Sequence, residues 1–317
     1  MIGSRALLLS AAATALVCPI AIRHLRLTGL LDMPNHRSSH VSPTPRGGGI
    51  ACATGIGVAA AAAQVAGHDV AWTALAGAGA LAGLGRLDDI HGLPPFTRLI
   101  AQGVVGGVMG HAFLGGTPGA VVGAAVTSVA VNTTNFMDGI NGMSGLTAAL
   151  WGASVMRVGA STHRGALVEL GAATAGAGLG FLPYNMPQAS LFLGDVGSYL
   201  FGGAFAAGIL SQRDGWSAMA CIAPLSVYLT DTGSTVVRRA RRGSPLTEAH
   251  REHVYQRLVS QHGWTHAQSA ALAAGISAVI TVAVHKRSVT GLAASGLLLA
   301  GYSRLPEILR WAVGVAS

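Results

Sequence analysis

The sequence predicts an all-α fold, a polytopic transmembrane helical bundle of about 10–11 spans, and three observations carry that prediction. Of 317 residues, 51% are hydrophobic and only 10% are charged, against about 25% charged in soluble domains. Mean hydropathy is +0.52. Apolar stretches close to the ~20 residues that a helix needs to cross ~30 Å of hydrocarbon recur along nearly the whole chain. No soluble domain fits between them, so residues 1–317 read as a single integral membrane domain.

The first span runs from Ala6 to Ile22. Val17 before Cys18 makes a poor small-residue cleavage site, which favours a retained helix over a signal peptide. Further apolar windows open near residues 48, 71, 99, 119, 142, 165, 197, 216, 267 and 289. They are rich in Ala and Gly, the residues that let helices approach closely in lipid, where van der Waals contact drives packing. Cys18, Cys52 and Cys221 sit inside apolar stretches without CxxC spacing and read as buried thiols rather than a zinc site or a disulfide framework.

Two connections are long and polar, Arg23 to Gly47 and Arg238 to His266. Placing the first in the cytoplasm puts residues 86–98, 132–141, 181–197 and 238–266 and the C-terminus on the same side. That side then holds fourteen of the twenty Lys and Arg residues, as the positive-inside rule requires. The N-terminus is expected to face the opposite, periplasmic side. The net charge of +8 is accounted for by topology, and no patterned basic domain points to nucleic acid. Asp32, Asp88, Asp89, Asp138, Asp195, Asp231, Glu248 and Glu252 fall on the cytoplasmic side or at span ends facing it. Carboxylates are costly near a bilayer, so this one-sidedness describes a site built from converging loops at the cytoplasmic face.

Four motifs supply the chemistry. Asp88-Asp89 closes the third span and is followed by His91-Gly-Leu-Pro-Pro and Arg98; adjacent carboxylates repel unless a cation or proton lies between them. In Asn132-Thr-Thr-Asn135-Phe-Met-Asp138-Gly-Ile-Asn141-Gly142, the side chains at 132, 135 and 138 fall on one helical face, a polar edge toward a pocket. Asn185, then Phe192-Leu-Gly-Asp195-Val-Gly-Ser198, combines glycines that let backbone N–H groups approach an anion with a carboxylate suited to a hard cation. The last polar connection carries Arg238, Arg239, Arg241 and Arg242, which read first as topology and headgroup contacts, and the loop His250-Arg251-Glu-His253-Val-Tyr255-Gln256-Arg-Leu258. His250 and His253 lack the third ligand of a zinc hydrolase.

These motifs in this order, with Asp32-Met-Pro-Asn35 and Pro43-Thr44-Pro-Arg46-Gly-Gly-Gly49 ahead of them, resemble the polyprenyl-phosphate N-acetylhexosamine-1-phosphate transferase superfamily. The 250–258 loop is most similar to the branch that initiates O-antigen on FucNAc, QuiNAc or GlcNAc. It departs from the family's HxHH pattern, since only His253 matches its first histidine and Tyr255 and Gln256 stand where two more would be. Asn141 replaces the second acid of the usual DGxDG.

The resemblance implies a Mg²⁺-dependent phosphotransferase, with Mn²⁺ as the substitute ion, that moves an amino-sugar 1-phosphate from a UDP-amino sugar to undecaprenyl phosphate in cell-envelope polysaccharide synthesis. It implies Asp195 as metal ligand, with Asp88 and Asp89 as further candidates, Asp88 nearest the lipid phosphate and Asp89 beside it. Asn135 and Asp138 would line the nucleotide-sugar pocket, and Asn185 and Phe192 would lie near the uridine. Thr44 and Arg46 match the first-loop motif, and Arg98 and His253 match phosphate-associated positions. Asn132, Asn141 and Arg251 complete the substrate-binding candidates; assembly as a homodimer stays open. The competing reading is a secondary transporter of an anionic solute, which would place its acids and broken helices near mid-membrane, often in inverted repeats. Here the polar motifs sit at span ends on one side, and no repeat is visible.

Overall fold

The computed structural model describes residues 3–34, 42–245 and 250–315. Asn35 and Glu248 lie outside the described residues. A helix covers every predicted window: α1 (Ser4–Leu27), α2 (Gly49–Val65), α3 (Trp72–His91), α4 (Pro95–Leu114), α5 (Gly116–Met137), α6 (Met143–Ser161), α7 (Gly165–Asn185) and α8 (Gly194–Leu210) run in order. The window near 216 is broken into α9 (Gly215–Ile222), a 3-10 turn at Ala223–Leu225 containing Pro224, and α10 (Ser226–Arg241). A short α11 (Val254–His262) precedes α12 (His266–His285) and α13 (Val289–Val315). By length and composition α1, α5, α7 and α12 are apolar enough to cross a membrane. The protein is an all-α, multi-pass membrane protein.

Helix α8 forms the centre: every residue but Ile209 is buried. Such a helix needs an apolar sequence all round, which accounts for the absence of an amphipathic pattern there. It packs against α3 and α5, while α7 packs against α1, α2 and α6. The small residues predicted to draw helices together do so by backbone contact. A Cβ added at Gly110 of α4 would lie 2.1 Å from the carbonyl oxygen of Gly119 on α5, and one at Gly123 would lie 2.3 Å from that of Gly106. Gly110→Leu is therefore expected to push α4 and α5 apart and to lower the melting temperature in detergent by several degrees, in line with the ~1–3 kcal/mol of overpacking; an unchanged melting curve would refute this packing.

All three cysteines are free and buried. The only strands among the described residues are two short ones, β1 (Leu31–Asp32) and β2 (Thr44–Pro45), antiparallel with Leu31 opposite Pro45 and Asp32 opposite Thr44. An isolated bridge then joins Arg46 to Phe192. This brief pairing brings the first polar connection onto the N-terminus of α8, and there the site is assembled.

Candidate active site

The start of α8 leaves backbone N–H groups without helical partners. Asp89, at the end of α3, supplies them: its Oδ1 accepts from Asp195 N at 2.9 Å and its Oδ2 from Val196 N at 3.0 Å. Two features permit the approach. A Cβ at Gly85 would fall 2.2 Å from the Asp195 carbonyl oxygen, and Gly194 adopts φ +75, a left-handed conformation that glycine enters without steric cost. Arg46 closes the arrangement, with Nε 3.0 Å from Asp89 Oδ1 and Nη2 2.9 Å from Asp195 Oδ1. Burial by itself would lower the guanidinium's pKa, but the carboxylates of Asp195 and Asp89 outweigh it and hold Arg46 above its usual value. Its side chain keeps 42% of its surface exposed, against 1% for Asp89 and 11% for Asp195. A polar cavity of about 130 Å³ lined by Gly29, Leu30, Leu31, Asp32, Arg46 and Asp89 opens beside it.

From α5, Asn135 donates through Nδ2 to Asp195 Oδ1 at 2.7 Å and to Ser198 Oγ at 3.1 Å. Asp138, just past the end of α5, accepts from Ser144 Oγ at 2.6 Å. Burial pushes Asp138 up to about 7, opposed by the Ser144 hydrogen bond and by Arg46 and reinforced by the charges of Asp195 and Asp89. The sign follows from linkage. A carboxyl raised from 3.8 in the unfolded chain to about 7 holds its proton longer when folded. Its contribution to stability is full below 3.8 and is lost as pH rises to 7. Melting temperature in detergent without divalent cations is expected to fall across that window, and Asp138→Asn to flatten the slope; the same slope in the variant would remove Asp138 as its source.

The carboxylates of Asp88 and Asp89 diverge to separate protein partners rather than facing one another. Neighbours on a helix point about 100° apart, and each is met by its own arginine. Asp88 accepts from Leu93 N at 2.8 Å through Oδ1, and from Tyr199 OH at 2.8 Å and Arg98 Nη1 at 3.2 Å through Oδ2. With both oxygens engaged by protein donors, Asp88 is poorly placed as a metal ligand, and so is Asp89 for the same reason. Tyr199 has no part in the sequence reading; its signal is the four-residue spacing from Asp195, which puts both on one face of α8.

The remaining candidates divide. Asn185, expected near a nucleoside base, is buried and tied to backbone: Oδ1 accepts from Gly142 N at 2.6 Å and Nδ2 donates to Leu191 O at 3.1 Å. It joins the loop after α5 to the loop before α8. Asn132 turns toward α4, donating to Gln102 Oε1 at 2.6 Å and to Ser128 O at 2.8 Å. Asn141 is tethered by Nδ2 to Pro187 O at 2.9 Å. Thr44 is 4% exposed and donates to Ser42 O at 3.1 Å. Phe192 is half-buried, its backbone N–H donating to Pro45 O at 2.8 Å and its carbonyl accepting from Gly48 N at 2.8 Å. For Asn185, Asn132, Asn141 and Thr44 the scaffold engages side-chain groups that sequence reasoning had offered to substrate, whereas the Phe192 hydrogen bonds are made by its backbone.

His253 is 4% exposed and gives its Nδ1 to Asp231 Oδ1 at 3.0 Å. The same fully buried carboxylate accepts from Val254 N at 2.9 Å, Tyr255 N at 3.2 Å, Tyr302 OH at 2.9 Å and Thr235 Oγ1 at 3.4 Å. Since a carboxylate surrounded by donors can only accept, Nδ1 carries the proton toward Asp231, and Nε2 is the ring nitrogen left for another partner. Sequence reasoning put Asp231 on the cytoplasmic side and gave it no role. Its partners arrive from α10, α11 and α13, which only the fold brings together.

His250 stacks on His253 with ring centroids 5.1 Å apart, and burial with the adjacent His253 and Arg239 lowers it to about 4, so its ring is neutral at physiological pH. Arg251 keeps a buried Nη2 without a hydrogen-bond partner among the described residues. Tyr255 and Gln256, which replace family histidines, have structural duties. Tyr255 is fully buried with its hydroxyl donating to Phe136 O at 2.9 Å, and Gln256 Oε1 accepts from His253 N at 3.4 Å at the start of α11.

A hard divalent ion requires oxygen donors. Asp195 and Asp138 each engage one carboxylate oxygen among the described hydrogen bonds, leaving the second oxygen of each for such an ion beside Arg46. Among the described residues no group of three or more His, Cys, Asp or Glu could hold a metal ion, so an ion here would rest on Asp195 and Asp138 together with oxygens from outside the protein.

A profile of glycosyl transferase family 4 matches residues 71–212. The chain is 31% identical to the decaprenyl-phosphate N-acetylglucosaminephosphotransferase of Mycolicibacterium smegmatis, over 86% of this chain and 78% of that one. To the protein of that name from Mycobacterium tuberculosis it is 29% identical, over 98% and 89%. To a probable undecaprenyl-phosphate N-acetylglucosaminyl 1-phosphate transferase of Bacillus subtilis it is 25% identical, over 83% and 79%.

Proposed function

We propose, from the premise that the chain belongs to glycosyl transferase family 4 and is a polyprenyl-phosphate sugar-phosphate transferase, that it moves an N-acetyl-amino-sugar 1-phosphate from a UDP-sugar to undecaprenyl phosphate at the cytoplasmic face of the bacterial inner membrane. The observation that carries this reading is the convergence of Arg46, Asp89, Asn135, Asp138 and Asp195 around the N-terminus of α8. A helix N-terminus with an arginine and carboxylates suits a diphosphate and its counter-ion.

A lipid-phosphate oxygen attacks the β-phosphorus of the donor. The new P–O bond forms as the bond from that phosphorus to the α–β bridging oxygen breaks, and UMP leaves with the electron pair. The second pKa of a phosphate monoester is near 6, so most of the acceptor is already a dianion at neutral pH and a general base adds little. Positioning and charge neutralisation do the rest. Arg98, held by Asp88, faces the acceptor phosphate, and Arg46 faces the donor diphosphate. Mg²⁺ on Asp195 and Asp138 would supply further neutralisation of the phosphoryl oxygens. His253, its Nδ1 held by Asp231, offers its Nε2 to the nucleotide-sugar. An apolar cavity of about 210 Å³ lined by residues of α5, α8 and the α9–α10 break, among them Val126, Val129, Ile209, Ile222 and Leu225, suits the first isoprene units of the acceptor.

The 250–258 loop favours the O-antigen-initiating branch and donors of the UDP-GlcNAc, UDP-FucNAc or UDP-QuiNAc type. UDP-GlcNAc is the first to test, because N-acetylglucosamine figures in the names of the mycobacterial and Bacillus relatives. The deciding assay is UMP release by purified protein from a panel of UDP-amino sugars, with and without undecaprenyl phosphate and Mg²⁺. UMP that requires both is expected, and the preferred donor identifies the product; no UMP from any donor would overturn the reading.

A further inference from the structure

Five of the six Lys and Arg residues that fall outside the expected cytoplasmic side gather at one place, the end of the bundle opposite the candidate active site. They are Arg157 near the end of α6, Arg164 before α7, Arg213 between α8 and α9, and Lys286 and Arg287 between α12 and α13. Direct contacts join these ends. Arg164 donates through Nη1 to Ser211 O at 2.8 Å, and the Arg287 guanidinium lies 5.5 Å from the centroid of the exposed Trp216 ring. Ser154 of α6 bonds both Ala220 O of α9, at 2.7 Å, and His285 Nε2 at the end of α12, at 2.8 Å. Arg157, Arg213, Lys286 and Arg287 are exposed.

One acid of this end, Asp214, lies close enough to act on Arg287 and offsets only part of the charge of the five cations. Asp214 caps α9, accepting from Ser217 N at 2.9 Å and Ser217 Oγ at 2.7 Å, and Glu169 pairs with His68 at 3.0 Å. Asp69 lies in the separate α2–α3 connection. The cations also act on one another: burial and the neighbouring Arg213 lower Arg164. Clustered like charges at helix ends are unfavourable unless an anion lies among them. At a membrane surface the abundant anion is the lipid phosphate, and an aromatic ring at this depth marks the headgroup layer.

We propose that this face is a binding surface for the phosphate headgroup of an anionic membrane lipid, clasped by Arg157, Arg213, Lys286 and Arg287 with Trp216 at the headgroup level. It stands on the membrane embedding of the chain and is independent of the transferase reading.

Reconstitution in nanodiscs of phosphatidylcholine with increasing phosphatidylglycerol tests it, reading Trp216 emission as the difference between wild type and Trp216→Phe. A saturable change with phosphatidylglycerol, absent in phosphatidylcholine alone, is expected as a headgroup draws Arg287 away from the indole. Arg157→Gln/Arg213→Gln/Lys286→Gln, which leaves Arg287 over Trp216, is expected to need about tenfold more phosphatidylglycerol. The proposal is overturned if wild type shows no response, if the triple variant responds like wild type, or if inorganic phosphate alone reproduces the change, which would make this an ion site rather than a lipid surface. The wild-type titration decides the matter even if the variant fails to fold.

Discussion

Asp195→Asn is expected to lower UMP release by at least about 10³-fold with little change in melting temperature. The size follows from what the substitution removes. Asp195 lies where α8 begins, between Arg46 and Asn135, with one carboxylate oxygen left for a cation. An amide keeps the shape but carries no charge, so the ion proposed to neutralise the diphosphate would lose a ligand. Loss of one well-placed electrostatic contact in a dry site costs about 10²–10³ in rate, and loss of a metal ligand adds to that. Assay with Mg²⁺ titrated over a wide range checks it. A variant that retains more than a tenth of wild-type activity at ordinary Mg²⁺ would sink the metal assignment. One restored only by high Mg²⁺ would confirm it as weakened affinity.

Asp231→Ala is expected to be the most damaging substitution outside the Asp195 cluster, and through stability first. Five donors point at this carboxylate, two of them backbone N–H groups at the start of α11 and one the hydroxyl of Tyr302 on α13. Removing it leaves buried donors unpaired, and breaking such a buried cluster costs about 3–5 kcal/mol. It also frees His253 to rotate or to change tautomer. Melting temperature and ¹⁵N shifts of the His253 ring separate the two effects. Tyr302→Phe removes one donor without touching the histidine; it is expected to cost about 1 kcal/mol and to leave the Nδ1–H tautomer in place. If Asp231→Ala melts like wild type, the carboxylate is not what holds α10, α11 and α13 together.

Much of this molecule is readable from its sequence because the bilayer restricts the answer. Backbone in hydrocarbon must satisfy its own hydrogen bonds, so apolar windows become helices, and α1 through α8 appear where the windows predict them. The broken span is also marked, by Pro224 between two helix-forming stretches. Placement of the acids at span ends likewise needs only alternation of helices, so the meeting of Asp89, Asn135, Asp138 and Asp195 at one end follows from counting.

What the sequence by itself determined is therefore the class, the order of the helices and the end at which the chemistry lies. What only the tertiary structure decided is which atom serves which neighbour. Asn185 and Asn132 read as ligands, yet one bonds two loop backbones and the other a glutamine on α4. Asp88 and Asp89 read as a shared cation site, yet they diverge to separate partners. Asp231 read as one acid among several, yet it anchors His253. The physical reason is range. Hydropathy and charge asymmetry act over whole helices and leave a periodic trace, whereas a hydrogen bond depends on ångström positions of groups far apart in the chain, and such positions leave no trace in any one segment.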